Sequence, residues 1–181
     1  AFSVERLDKK EWTMGSLTIY LGLDCKLPDV HHHNYFLGDN YRDYADRVFS
    51  NPEVLEKPYY YVNVLSRSNP GCAPEGCESL FFVVPVPDLR FKKDWSDRDE
   101  ITDSIIDDFS ARSGKNIRPH IVSRTVYTPV DWQDQYNLHR GSGLGLSHKM
   151  LQIGGFRPAN FDEEFRNVFY AGASTIPGTG L

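Results

Sequence analysis

Asn167-Val-Phe-Tyr-Ala-Gly-Ala-Ser-Thr-Ile-Pro-Gly-Thr-Gly-Leu181 is the stretch around which this chain is read. Val168, Phe169 and Tyr170 form a short apolar run, which reads as a buried strand. Ala171, Gly172, Ala173 and Ser174 then remove bulk, so another group can approach the backbone closely. Pro177-Gly-Thr-Gly180 can expose several N–H groups in one small concavity. Amides arranged this way satisfy anionic oxygens without side-chain charge, which suits a phosphate-bearing cofactor. A tight turn after a core strand accounts for the same glycines equally well.

Further upstream the chain alternates between the two regular periods. Leu17, Ile19, Leu21 and Leu23 alternate with Thr18, Tyr20 and Gly22, so Trp12–Leu23 reads as a strand with one apolar face. His31–Leu37, Tyr59–Leu65 and Ile121–Tyr127 read as further strands. Leu80–Val86 is apolar at successive positions, as in a central strand covered on both sides, and Pro85 and Pro87 mark its exit. Asp39 is positioned to cap a short helix carrying Tyr41, Tyr44, Ala45 and Val48, with Asn51-Pro52 stopping it. Ser96 and Asp99 approximate a capping box for a helix whose buried face is Ile101, Ile105 and Phe109. Gly114 is a fitting stop, and Asp103, Asp107 and Asp108 read as that helix's solvated face. Asp131–Tyr136 is polar and helical in character.

Composition narrows the function classes. The chain has 181 residues, enough for a real core, with 40% hydrophobic and 25% charged residues, as in a water-soluble fold. Its net charge of −5 gives no electrostatic footprint for nucleic acid. Cys25, Cys72 and Cys77 have no metal-type pairing, and free thiols are expected. His31, His32 and His33 invite a metal, but strand alternation points His32 away from its neighbours, so no metal site is expected there. No Gly-x-Gly-x-x-Gly follows a strand; Gly141, Gly143 and Gly145 follow a polar segment instead. The chain opens on Ala1 and closes inside a motif, and it reads as an internal fragment.

Tyr136-Asn-Leu-His-Arg-Gly-Ser-Gly-Leu-Gly-Leu-Ser-His148, then Gln152 and Phe156-Arg157-Pro158, precede the glycine-rich turn. With Phe169–Gly180, and with Ala73-Pro-Glu-Gly76 leading to Leu80–Pro87, they closely resemble bacterial/fungal-type phytoene desaturases. These are FAD-dependent carotenoid oxidoreductases of the flavin amine-oxidase superfamily. The resemblance runs from about Leu17 onward, and its wording looks closer to the fungal branch.

The resemblance implies an α+β or α/β chain, with a mixed-sheet substrate domain plus the C-terminal portion of a Rossmann-like FAD-binding domain. Residues 1–130 would belong to the polyene-binding domain, 131–150 would connect beside flavin and substrate tunnel, and 151–181 would return to the FAD domain. FAD would contact Gly172, Ala173, Ser174, Gly178, Thr179 and Gly180. Gly141, Ser142, Gly143 and Gly145 would lie beside the flavin or the tunnel, and Arg140 and His148 are the candidates for shaping the chemistry. The implied reaction is desaturation of phytoene and later carotene intermediates by hydride transfer to FAD. Quinone or oxygen would reoxidise the flavin at an intracellular membrane surface. A related carotene or retinoid oxidoreductase or isomerase, and a non-catalytic polyene-binding module, are the alternatives. The family's N-terminal pyrophosphate fingerprint does not occur in this sequence, so this chain by itself is expected to be inactive.

Overall fold

The computed structural model describes residues 3–49 and 59–179. Five strands form one sheet: β1 (Gly15–Leu23), β2 (His33–Phe36), β3 (Tyr60–Val64), β4 (Glu78–Val86) and β5 (Ile121–Tyr127). Their order is β2-β3-β4-β1-β5, and every pairing is antiparallel. The helices are α1 (Val4–Asp8), α2 (Tyr41–Arg47), α3 (Arg98–Ser113) and α4 (Pro129–Tyr136). The α+β expectation holds, and the five strand readings between Trp12 and Tyr127 are borne out to within a few residues at their ends. Among the described residues no helix is long and apolar enough to cross a membrane.

Period-two alternation separates the two faces of the sheet. Leu17, Ile19, Leu21 and Leu23 of β1 are buried with Leu80, Phe82, Val84 and Val86 of β4 and Tyr60, Val62 and Val64 of β3. Helix α3 lays Ile105, Ile106 and Phe109 on this face. Phe109 meets Phe82 edge-on, with ring centroids 5.2 Å apart, and Phe36 at 5.3 Å. Burial of these side chains stabilises the layer by about 2 kcal/mol each. Gly114 ends α3 in the left-handed region, at φ +74°, as a C-terminal glycine does.

The opposite face follows from the register. Tyr20 stands between Phe81 of β4 and Thr125 of β5, and Thr18 between Val83 and Tyr127. Tyr61 of β3 faces Val83. Tyr20 stacks on Phe81 at 4.8 Å and meets Tyr127 edge-on at 6.0 Å. None of these side chains is formally charged, and Tyr20 and Phe81 remain partly exposed. Leu80–Val86 is therefore central, as its sequence predicts, but only half-covered on this second side.

Several local expectations are corrected. The side chain that caps α2 is Asn40, not Asp39: its Oδ1 accepts from Asp43 N. The expected stop at Asn51-Pro52 lies outside the described residues. Ser96 and Asp99 form no capping box, because α3 starts at Arg98 after Asp97, whose Oδ2 is taken by Lys92 at 2.8 Å. The acidic face of α3 is ion-paired rather than merely solvated. Arg118 engages Asp103 and Asp107, Arg124 reaches Asp103 at 2.6 Å, and Tyr60 donates to Asp108 at 2.5 Å. The alternation argument does not extend to His32, which precedes β2 and whose ring stands 4.3 Å from that of His33.

Val168–Tyr170 is not a buried strand. Phe169 makes a single bridge to Phe161 and is 74% exposed. Apolar side chains alone do not make a strand; the backbone needs a partner ladder, and only one residue pair supplies it here.

Candidate functional site

Beyond β5 the chain is built from turns. Thr128 and Asp131 form a true capping box at α4, with Thr128 N donating to Asp131 Oδ2 at 2.7 Å and Asp131 N to Thr128 Oγ1 at 3.4 Å. Asn137 ends the helix at φ 56°, and left-handed residues Arg140, Gly141 and Gly145 fold the chain back across the end of β1. Gly143 N donates to Met14 O at 2.8 Å and Thr13 N to Gly145 O at 3.0 Å. Residues 158–175 then cover the turn.

Between these segments lies a cleft of about 720 Å³. One wall is Leu138, His139, Ser142, Gly143 and Gly145 with Trp12; another is Ala171 to Thr175; the third is Phe161 to Phe165. Of the residues expected to meet the cofactor, Gly172, Ala173 and Ser174 line it. Gly178 and Thr179 do not line it, and Gly180 lies outside the described residues. Ser142, Gly143 and Gly145 line it, whereas Gly141, Arg140 and His148 do not.

The glycines are explained by neighbours within the protein. A Cβ on Gly141 would overlap the Pro129 carbonyl, and one on Gly145 would lie 2.5 Å from Ser174 Oγ. Beside Gly172 the space is open. Ser142 Oγ is buried without a hydrogen-bond partner among the described residues. An open glycine and an orphaned hydroxyl on one cleft suit a bound ligand that brings its own polar atoms. Asp162, Glu163 and Glu164 make the third wall acidic. Asp162 already accepts from Glu164 N, Phe165 N and Tyr170 OH, and carboxylates along this wall repel phosphates.

Arg140 Nη2 donates to Asp8 Oδ1 at 3.1 Å, and His139 Nε2 stands 3.2 Å from the same oxygen. The His139 ring lies 4.3 Å from the Trp12 ring. Burial holds the His139 pKa below its ordinary value, helped by Arg140 and opposed by Asp8 and Asp88. His148 Nε2 hydrogen-bonds to Thr179 O at 3.0 Å. His139 lies in the 131–150 segment that the resemblance sets beside flavin and substrate tunnel, whereas Arg157 stands in the sequence only as the centre of Phe156-Arg157-Pro158, and Trp12 and Asp162 carry no motif signal.

Away from the cleft, Asp24, Cys25 and His120 bring ligand atoms within 4.8 Å of one another. His120 Nδ1 and Asp24 Oδ1 already bond each other at 2.8 Å. All three cysteines are free.

No protein-family profile matches the chain. Individual proteins do, along nearly all of it. The phytoene desaturase of Fusarium fujikuroi is 33% identical over 198 residues, which cover 98% of this chain and 35% of that protein. A zeta-carotene-forming phytoene desaturase of Myxococcus xanthus is 38% identical over 186 residues, covering 100% of this chain and 35% of that protein. The chain is homologous to part of the phytoene desaturases. A 4,4'-diapophytoene desaturase of a Methylomonas species, 31% identical over 182 residues, covers 99% of the chain and 35% of itself. The chain thus spans about a third of the length of these desaturases. Identity does not favour the fungal branch, since the bacterial Myxococcus protein exceeds the fungal one.

Proposed function

We propose that the complete protein carrying this chain is an FAD-dependent phytoene desaturase. In this reading the chain supplies a substrate-facing sheet and part of the cofactor cleft. The observation that carries it is the second face of the sheet. Tyr20, Phe81, Val83, Tyr61 and Tyr127 present aromatic and branched surface with no formal charge. A polyene hydrocarbon has no polar group to satisfy, so it needs a face like this and is excluded by ionic ones.

The cleft fits FAD in the donors and acceptors it offers. Gly172 leaves room for the ligand, and Ser142 Oγ has a free hydrogen bond to give. Bound FAD would supply the hydride acceptor for removal of hydrogen across a carbon–carbon single bond. The chain's own residues orient and dehydrate. Trp12 and His139 line the same wall with tilted rings 4.3 Å apart, and burial disfavours the charged form of that imidazole. In this reading quinone or oxygen would serve as the terminal acceptor. Met150, Leu151 and Phe156, all strongly exposed, support contact with a lipid surface where such substrates dissolve.

The test is pigment analysis after expressing the complete protein in cells that make phytoene. Loss of phytoene with gain of more conjugated carotenes is the expected result. Unchanged phytoene with a retained polyene would point instead to a binding module. Conversion of another carotene or retinoid, with phytoene untouched, would point to a related oxidoreductase or isomerase.

A further inference from the structure

Arg157 is only 2% exposed, and what meets its guanidinium is backbone. Nη1 donates to Ala173 O at 2.7 Å, and Nη2 donates to Leu146 O at 2.8 Å and to Ser147 O at 3.3 Å. Nε is buried without a partner among the described residues. Burial alone pulls its pKa below the usual arginine value; no carboxylate opposes it. A buried cation held only by carbonyls is costly, so a stability role alone is a poor account of it.

The carbonyls it holds belong to two separate pieces of chain. Leu146 and Ser147 directly follow Gly145, on the first cleft wall, while Ala173 is itself on the second wall. Leu146 N donates to Ser174 Oγ at 3.3 Å and joins the same two pieces, while Ile176 N donates to Pro158 O at 3.1 Å and ties Arg157's own segment to the second. Arg157, which belongs to neither wall, reaches both at once. A guanidinium does this because its two terminal nitrogens diverge in a fixed plane. A lysine ammonium is a point that serves one wall or the other.

We propose that Arg157 is a positioning residue that sets the separation of the Gly145–Ser147 and Gly172–Ser174 walls and, through it, the affinity for FAD. This rests on the reading of the cleft as a cofactor site. The residue touches no ligand itself; it acts through the Ala173 and Leu146 carbonyls. Removing its fork leaves those carbonyls without their donor, and the two walls lose their common tie.

The experiment uses the complete protein with Arg157→Lys and Arg157→Gln. Three quantities are measured: the FAD dissociation constant by flavin fluorescence, the visible circular dichroism of bound flavin, and the melting of the apoprotein. Arg157→Gln is expected to weaken FAD by about tenfold or more. Arg157→Lys should fall between it and wild type. The flavin dichroism should change while the apoprotein melting temperature moves little. Wild-type affinity and dichroism in both variants would overturn the proposal. So would loss of FAD in strict proportion to loss of fold in both. If the wild-type protein binds no FAD, the cofactor reading itself fails, and the proposal falls with it on a separately visible result.

Discussion

Gly178 lies against the guanidinium of Arg157: a Cβ on that glycine would stand 2.8 Å from Arg157 Nε and 3.1 Å from Cζ. The residue also has φ +119°, where side chains are strained. Two independent reasons therefore require glycine at this position, and the nearer one is a protein side chain. Gly178→Ala is expected to cost about 2–3 kcal/mol. Gly114→Ala, at φ +74° with open space around it, is expected to cost only about 1 kcal/mol. Denaturant unfolding of the two variants compares them. Equal losses would show that contact with Arg157 adds nothing.

The core makes a simpler demand. Phe109 is fully buried between Phe82 and Phe36. Phe109→Ala removes the ring that joins α3 to the sheet and should cost about 3–5 kcal/mol. Phe109→Leu should cost clearly less, because most of the volume is kept. Urea midpoints check both, with an unchanged slope showing that the same surface is exposed on unfolding.

The sheet was legible because its signals are local and repetitive. The alternation in Leu17–Leu23 fixes which side chains face inward, and the Ile101, Ile105 and Phe109 spacing fixes the helix that covers them. Helix starts were less legible. Asp39 and Asn40 are both good caps, and only backbone geometry decides that Asn40 Oδ1 reaches Asp43 N. Val168–Tyr170 misled because hydrophobicity announces burial without naming a partner strand. The cleft was legible in part. Gly172, Ala173 and Ser174 line it as small residues that leave room. Gly141 and Gly145 are glycines because Pro129 and Ser174 crowd them, a long-range cause that sequence spacing does not reveal.

Thr128 is 3% exposed and closes the capping box of α4. Thr128→Ala removes the acceptor for Asp131 N and the hydroxyl that bonds Asp131 Oδ2 at 2.7 Å. The expected loss is about 1–2 kcal/mol. Trp132 on α4 stacks on Tyr127 at 5.1 Å, so the loosened helix should also change the near-ultraviolet dichroism of that pair. Thr128→Ser should restore most of both signals. A thermal melt identical to wild type in Thr128→Ala would mean the helix is held by packing alone.

His139 makes stability depend on pH in a definite direction. Its pKa in the folded protein is lowered, mainly by burial. As pH falls, the unfolded chain takes up this proton first, near pH 6.5, while the folded protein resists it. The stabilising contribution is therefore complete above about pH 6.5 and is lost as pH falls below it. His139→Asn should flatten the dependence of stability on pH between about 7 and 5. Chemical denaturation at a series of pH values measures this slope. A slope unchanged by the substitution would assign the proton uptake to other groups.

The last prediction concerns Tyr20 and Phe81, whose rings stack at 4.8 Å on the side of the sheet away from α3. Both sit at paired positions of central strands, so their backbones are fixed on each side by ladder hydrogen bonds. Tyr20 is 37% exposed, and its ring surface is available to a ligand. A hydrocarbon chain lying on this face gains contact area from both rings and loses nothing to unpaired polar groups. Phe81→Ala in the complete protein should weaken carotene binding by about tenfold, from loss of part of one aromatic contact. Phe81→Asp should weaken it far more, because a carboxylate on this face has no partner and must shed its water when the polyene arrives. Tyr20→Phe should bind as well as wild type, since the argument uses the ring and not the hydroxyl. Quenching of protein fluorescence by added carotene in detergent measures all three, and FAD retention serves as the control that the cleft is intact. Binding by Phe81→Asp equal to wild type, with FAD retained, would remove this face from the substrate path and leave the exposed rings as packing surface for another part of the protein.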